Sequence, residues 1–542
     1  MQGKKECVPK LMYQVNLDDL VPKENYYRLI GKEIDFSFLY KATKQYYGTE
    51  GQESIDPVVF FKICLVGYLN NINSDRKMIE YCSDSLAIRL FIKYDIDEEL
   101  PWHSTISRTR QLYGEEVFLT LFRKILSLCV SKGMVRGKRQ AIDSALIKAN
   151  ASMDSLIEKE VLEDAELYAE ELNQNSDINQ REYKVSVSKK KEVESRHAWQ
   201  AEKYKHPGHE YKEGKEGDGG DLIQSKFISN HTHYSGTDPD ARISTKPGKP
   251  RNLHYLAQLS VDNANHVITG ALAEFADKRD SQCLENICEQ VKETFEEHNL
   301  RIRQVVTDTA YSSGEALKYC EENGIDAYIP NFGKYKPDRE GFIYNNELNQ
   351  YECQQGNRAI LPLKNAYVKN GEYFVKRYSS SKKDCKTCPY LKKCCGEKME
   401  YKKLDDSVDK EYYDRMHKKL TENKIYAKRL FRSRSSTVEP VLGTLINHLN
   451  MKRVNTRGID LATKHVIMAS LVYNLKKYLK FVNKRYESNI TAIPVMKRYY
   501  NEDSGKFLCV FILLILISEI CGVIQLENEY SKPTVKKQKW YL

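Results

Sequence analysis

The 542-residue sequence lacks any run of about twenty apolar residues free of a central charge, which is what a membrane-spanning helix needs. Its longest apolar stretch, Phe507 to Ile517, extends to Leu526 only by taking in Glu519 and Gln525. A docking helix or a terminal extension is the expectation there, with a membrane anchor as the lesser alternative. No signal peptide is expected in Met1 to Lys10, and no internal repeat recurs along the chain. The fourteen cysteines lack the dense regular spacing of a disulfide framework; Cys64, Cys82, Cys129 and Cys320 stand singly in apolar helical patterns. That points to a reducing, cytoplasmic setting. With 41% hydrophobic residues the chain is not a disordered one, and its length allows several domains. Acids are scarce in one region above all. Between Lys418 and Arg485 sixteen Lys and Arg face only Glu422, Glu439 and Asp460, so this block carries +13 while the rest of the chain sums to −3. A basic block of this kind is the footprint of a protein that meets phosphates.

Residues 1 to about 115 read as helices. In DPVVFFKICLVGYLNNI, Asp56 is placed to cap a helix whose first residue is Pro57. LPWHSTISRTRQLYG reads as a turn, with His103 among capping hydroxyls, followed by a helix displaying Arg108 and Arg110. That helix suits DNA or, equally, an ordinary solvated face. From Ala141 the pattern changes to strands. A charged segment from about Leu156 to Gly220 reads as an insertion, in which Lys189 to Lys191 is a solvated excursion or a DNA contact. NLHYLAQLSVDN and HVITGALAEF then form a hairpin, DSQCLENICEQVKETFEEH an amphipathic helix, IRQVVTDTA a strand, EALKYCEENG a helix closed by Gly324, and DAYIPNF a strand. The series predicts an α/β fold, a mixed sheet with helices on its faces. Residues 331 to about 425 interrupt it with a Tyr-, Lys- and Cys-rich insertion. TVEPVLGTLINHL and ATKHVIMASLVYNLKKYLKF return as two basic helices, and the sequence after about Asn483 looks appended.

Three carboxylates carry the candidate chemistry. Asp143 follows an apolar step in RQAIDSALIKANAS, Asp308 follows Val305 and Val306, and Glu439 stands just before a helical pattern. Hydrolysis or transfer at a phosphodiester needs an activated oxygen nucleophile and a stabilised leaving oxygen, which two divalent ions about 3.5–4 Å apart supply. Magnesium prefers oxygen ligands and keeps several waters, so a few carboxylates and a substrate phosphate suffice. On this reading Asp143 bridges both ions, with Asp308 on one and Glu439 on the other. The alternative for an Asp at a strand end is a turn or cap.

IDSALIKANAS, VVTDTAYSSGEA and the VEPVLGTL helix leading into YNLKKYLKF resemble three blocks of DDE-type bacterial insertion-sequence transposases. VPKENYYRLI, DPVVFFKICLVGYLNNINSDRKMIE and HSTISRTR are similar to the helical domain that precedes the catalytic core in that group, and TDPDARISTKPGKPRNLHYLAQLSVDNANHVIT is similar to part of the core. The resemblance, over about residues 15 to 482, implies a ribonuclease-H-like core interrupted by insertions, Mg2+ or Mn2+, double-stranded DNA as substrate, and a homodimer in the active complex. It implies catalytic roles for Asp143, Asp308 and Glu439. Many relatives place a Lys seven residues after the glutamate; here Ile446 stands there, followed by Lys452 and Arg453, while Arg432 lies seven before Glu439.

Two further sets stand out. Cys353, Cys385, Cys388 and Cys394, with Cys395 as a spare, could complete a tetrahedral thiolate site for Zn2+, with reduced metal-free thiols as the alternative. The basic helices offer Arg432, Arg434, Lys452, Arg453, Lys476 and Lys477 to phosphates, as Arg108 and Arg110 do from the helical region. Asn447, His448, Asn450 and Asn455 are base contacts or ordinary turn residues. The expected organisation is a helical DNA-binding domain (1–115), the first part of the core (116–330), the Cys-containing insertion (331–425), the second part of the core (426–482) and a tail (483–542). The expected function is transposition by a cytoplasmic, nucleoid-associated protein. A metal-dependent nuclease without strand transfer, or an inactivated DNA-binding descendant, are the alternatives.

Overall fold

Asp56 and Pro57 start the helix around which the amino-terminal part packs. The Asp56 carboxylate accepts the N–H groups of Val58 and Val59 at 2.6 and 3.1 Å, and Pro57 sits where no intrahelical donor is needed. In the computed structural model of the protein, residues 16–48, 50, 54–158, 229–230, 233–244, 251–331, 335, 337–370, 373–396 and 399–498 are described. Most of the charged insertion, including Lys189 to Lys191, and the apolar run 507–526 lie outside them.

Eight helices come first: α1 (Leu17–Leu20), α2 (Tyr26–Glu33), α3 (Phe38–Thr43), α4 (Pro57–Leu69), α5 (Asp75–Ser83), α6 (Leu86–Ile92), α7 (His103–Leu112) and α8 (Glu115–Ser131). α4 is apolar except for Lys62, whose ammonium donates to the Phe91 carbonyl at 2.6 Å, so it is buried: Phe60, Phe61, Ile63 and Val66 are fully enclosed. Tyr113 stacks on Phe61 with ring centroids 6.0 Å apart. Gly67 lets α5 approach α4, since a Cβ there would lie 2.5 Å from the Met78 sulfur. HSTIS, expected as a turn, is instead the first turn of α7, because His103 opens the helix directly after Trp102.

The sheet follows: β1 (Arg139–Lys148), β2 (Leu156–Glu158), β3 (His233–Ser235), β4 (Arg242–Ser244), β5 (Asn252–Asp262), β6 (Ile268–Phe275), helix α9 (Asp280–Glu296), β7 (Gln304–Val306), α10 (Gly314–Glu322) and β8 (Asp326–Tyr328). The order β4-β5-β1-β7-β8 is mixed: β5 runs antiparallel to β1, whereas β7 is parallel to both β1 and β8. β6 shares the outer edge of β5 with β4, while β2 and β3 pair separately. The expected hairpin, helices and strands are therefore present, with β7 and β8 shorter than their apolar runs. β1 is buried along Ala141, Ile142, Ala145 and Ile147 because it lies between β5 and β7.

The insertion builds a second, antiparallel sheet, β13-β12-β11-β10-β9, from β9 (Phe342–Asn345), β10 (Gln350–Cys353), β11 (Ile360–Asn370), β12 (Tyr373–Ser379) and β13 (Lys403–Ser407). Short helices α11 (Lys382–Lys386) and α12 (Leu391–Cys395) lie between β12 and β13. Its core is Tyr351, Leu361, Tyr378 and Phe342. The chain then runs through α13 (Lys410–Glu422) and α14 (Lys424–His448), and α14 packs on β1, β5 and β7. The last helix, α15, spans Ile459–Arg498. Of the described residues, those up to Leu479 pack as one compact unit and those from Lys480 on belong to a second.

Candidate active site

The pairing of β1 with β7 decides which carboxylates meet. Ala141 is opposite Val306, a constant offset of 165 positions that also matches Arg139 with Gln304. Asp143 and Asp308 share that offset, each two residues beyond the last parallel pair. Neighbouring strands lie about 4.8 Å apart, so the register alone sets these side chains beside each other. Asp308 lies just past the carboxyl end of β7, where α/β sheets open into a crevice, whereas Asp143 lies in the middle of β1, opposite Leu259 of β5.

Each aspartate has one oxygen held by its own backbone. Asp143 Oδ1 accepts the Ser144 N–H at 2.9 Å, and Asp308 Oδ1 accepts the Ala310 N–H at 3.0 Å as the cap of a short 3-10 turn. Both Oδ2 atoms turn to Arg434 on α14, 2.9 Å from Nη1 for Asp143 and 3.8 Å from Nη2 for Asp308. The side chains of Asp143, Asp308 and Arg434 are 15%, 40% and 10% exposed, so the pair is sheltered on the Asp143 side and open on the Asp308 side. Burial raises the Asp143 carboxyl above its ordinary value of 3.8; Arg434 and the Ser144 N–H pull it back, and Asp308 adds to the rise. α14 is fixed on the sheet by a second anchor, since Ser433 and Thr437 both donate to Asn263 Oδ1, at 2.8 and 2.9 Å, in the β5–β6 turn. Behind the aspartates, the buried Tyr311 hydroxyl donates to Gln258 Oε1, and the Gln258 amide donates to Asp280 at 3.2 Å.

Glu439 stands apart from this pair. The sequence suggests a helix beginning just after it, but α14 starts at Lys424 and carries Glu439 at its middle, exposed, with Pro440 inside the helix. Five residues separate it from Arg434, a rotation of about 140° around the axis, so Glu439 faces solvent while Arg434 faces the sheet. Arg432, seven residues before it, is also exposed. Among the described residues no three of His, Cys, Asp and Glu are gathered as a metal-holding group. Two carboxylates do fit a hard divalent ion here, because their free oxygens converge and a cation already stands between them. The third carboxylate of the expected set is not with them.

The thiols give a second correction. Cys353, Cys385, Cys388, Cys394 and Cys395 all line one cavity of about 520 Å³, yet they do not come together as a tetrahedral site. Two of the sulfurs engage oxygens, Cys353 the Gln355 carbonyl at 3.1 Å and Cys385 the Ser380 hydroxyl at 3.0 Å, while Cys395 meets the Cys394 thiol. The described cysteines are all free thiols. Burial pushes Cys64 up to about 11 and Cys82, Cys129 and Cys320 to about 12, which makes them inert packing residues.

The basic residues divide into two groups. Arg108, Arg432, Lys452, Arg453 and Lys476 are exposed, and Arg453 lines two cavities of about 730 and 420 Å³. Arg110 instead makes a bidentate pair with Asp75 at 2.9 and 2.7 Å, and Lys477 reaches the Asn265 carbonyl at 3.1 Å. Arg434 is held by Asp143. Asn450 donates to the Ile72 carbonyl and Asn455 to the Asn73 carbonyl, both at 3.1 Å, so these two amides join the core to the helical region. Asn263 and the counter-cation role of Arg434 are the site features that sequence reasoning misses; only the polar pair Ser433 and Thr437, at helical spacing on an otherwise apolar face, hints at them.

Comparison with known families agrees at both ends of the chain. Residues 15–112 match a family described as Transposase domain (DUF772), and residues 352–479 match one described as Transposase DDE domain. The second match contains Glu439 and Arg434 and begins after Asp143 and Asp308. No curated protein matches the chain. Among the described residues no helix is long and apolar enough to cross a membrane. A match to a transposase domain at the amino-terminal side and to a transposase DDE domain at the carboxy-terminal side, with a mixed sheet between them that brings two aspartates together, supports an insertion-sequence-type DDE transposase.

Proposed function

We propose that the protein binds the inverted-repeat ends of its element, cleaves them by metal-dependent phosphodiester hydrolysis and transfers the released 3′-hydroxyls to target DNA. The observation that carries this reading is the matched position of Asp143 on β1 and Asp308 just past the end of the parallel β7, with an oxygen of each turned to one cation. The mixed sheet with α9 and α14 packed on it is read as a ribonuclease-H-like core. Asp143, Asp308 and Glu439 would hold one or two Mg2+ or Mn2+ ions, which when bound activate the attacking oxygen and stabilise the leaving one. Glu439 stands about 140° from Arg434 on α14, so its part in the set requires that helix to turn when metal and DNA bind.

The chain's own residues supply the rest. Asp143 and Asp308 fix the scissile phosphate's side of the sheet, and Asn263 holds α14 in register through Ser433 and Thr437. The helical region (1–115) and the exposed cations Arg108, Arg432, Lys452, Arg453 and Lys476 would track the DNA backbone. The core is divided as 116–330 and 426–482 by the 331–425 insertion, with 483–542 a tail, and two chains would act on the two ends as a homodimer. The outward Glu439 is the one observation that favours the alternative, a DNA-binding descendant of an inactivated element.

Cleavage of a labelled duplex carrying the element's ends separates these readings. With Mg2+ or Mn2+ the wild type nicks at the ends, chelator stops it, and Asp143→Asn, Asp308→Asn or Glu439→Gln reduces nicking below detection while end binding persists. Binding without nicking under every metal condition would instead establish the inactive protein. A product joined to target DNA distinguishes strand transfer from simple nuclease action.

A further inference from the structure

Arg434 stands where the metal would. Ser144 and Ala310 each donate to one oxygen of the aspartates; the two Oδ2 atoms have no backbone donor, and both face this guanidinium. Two carboxylates on neighbouring strands repel each other, more strongly where burial thins the water. Arg434, itself 10% exposed, relieves that repulsion while no metal is present. A divalent ion would need the same oxygens at about 2.0–2.1 Å. With Nη1 2.9 Å from Asp143 Oδ2, the guanidinium charge stands against an incoming ion and opposes its binding.

We propose that Arg434 is the resident counterion of the Asp143–Asp308 pair, a positioning residue that the divalent ion must displace. It also anchors α14 with its arginine inward, and the helix geometry then keeps Glu439 outward. Displacement of the guanidinium therefore opens the aspartates and removes one of the two polar anchors of α14, leaving the bonds of Ser433 and Thr437 to Asn263. The released side chain carries its charge toward the phosphates of the bound DNA. This inference rests on the metal-centre reading of the preceding section.

The test is Mn2+ binding to the full chain without DNA, read from the loss of the free-ion paramagnetic resonance signal at fixed ionic strength. Wild type, Arg434→Gln, Arg434→Lys and Asp143→Asn are compared, with circular dichroism confirming the fold of each. Removing the competing cation should tighten Mn2+ binding about tenfold or more in Arg434→Gln, and Arg434→Lys should fall between it and the wild type. The melting temperature of Arg434→Gln should lie below that of the wild type in chelator and recover more than the wild type's does on adding Mn2+. Equal or weaker Mn2+ binding by a folded Arg434→Gln overturns the proposal. Should Arg434→Gln not fold, Arg434→Lys carries the test by the same criterion. Failure of the metal-centre reading looks different: neither wild type nor Arg434→Gln then shows any Mn2+ binding that Asp143→Asn removes.

Discussion

Arg110 illustrates what a residue's type conceals. In HSTISRTRQL an arginine two positions after another looks offered to DNA, yet its guanidinium is enclosed and gripped at two points by Asp75. The partner is 35 residues away on α5, and nothing in the spacing announces it. Removing one member of a buried pair leaves an uncompensated charge, so Arg110→Ala should cost about 3–5 kcal/mol in denaturant unfolding. The residual folded fraction should bind DNA with unchanged affinity. His465 gives a pH signature at the same scale. Burial lowers it from 6.5 to about 4, and its Nδ1 meets the Tyr68 hydroxyl at 2.7 Å. Between those values the unfolded chain takes up a proton that the folded chain refuses. The contribution of neutral His465 is thus fully present above 6.5 and is lost as pH falls toward 4. Urea midpoints of the wild type should drop across that window more steeply than those of His465→Gln; parallel slopes would show that His465 does not titrate.

At the scale of elements, legibility followed local patterning. The β5–β6 hairpin, α9, α10 and α4 were all readable, since alternation, helical period and caps are written within a few residues. The extent of α14 was not. Pro440 directly after Glu439 resembles a first helical position, but here the helix has already run from Lys424 and tolerates the proline in its interior. Nor could sequence separation reveal that Asp143 and Asp308 would share a register, which depends on how β1 and β7 pair. Asn263 holds the resulting arrangement, since one amide oxygen accepts both Ser433 and Thr437. Asn263→Ala should destabilise by about 1 kcal/mol through the unpaired Ser433 hydroxyl, since Thr437 keeps the Ser433 carbonyl at 2.7 Å. It should reduce end cleavage well beyond its effect on end binding, because it loosens the helix that carries both Arg434 and Glu439. Equal losses in the two assays would argue that Asn263 is only a packing residue.

At the scale of the whole molecule, the helical region and the sheet are tied by short polar links rather than by a linker. Asn71 accepts the Asn450 N–H at 2.8 Å, Asn73 donates to the Arg453 carbonyl at 3.1 Å, and Lys464 donates to the Arg110 carbonyl at 3.2 Å. The loop between α14 and α15, which makes the first two of these links, also carries exposed Lys452 and Arg453, so a DNA duplex held by that loop is held close to the helical region as well. Charge in this block is divided between structure and surface: Lys464, Lys477 and Arg434 are engaged inside the protein, while Arg432, Lys452 and Lys476 are exposed. Only cations that displace counterions from phosphates contribute to the salt dependence of binding, at about 0.9 in the slope of log affinity against log salt for each contact. Replacing Arg432, Lys452 and Lys476 together by Gln should therefore shrink that slope by about 2–3, with thermal stability nearly unchanged because no buried ion pair is broken. Phosphate contacts position rather than specify, so the preference for end sequences over unrelated duplex should survive at equal salt. A slope identical to the wild type's would mean that DNA runs over another face of the protein. The same slope measured for Lys477→Gln provides the internal contrast, since a lysine held at the Asn265 carbonyl should contribute less than an exposed one.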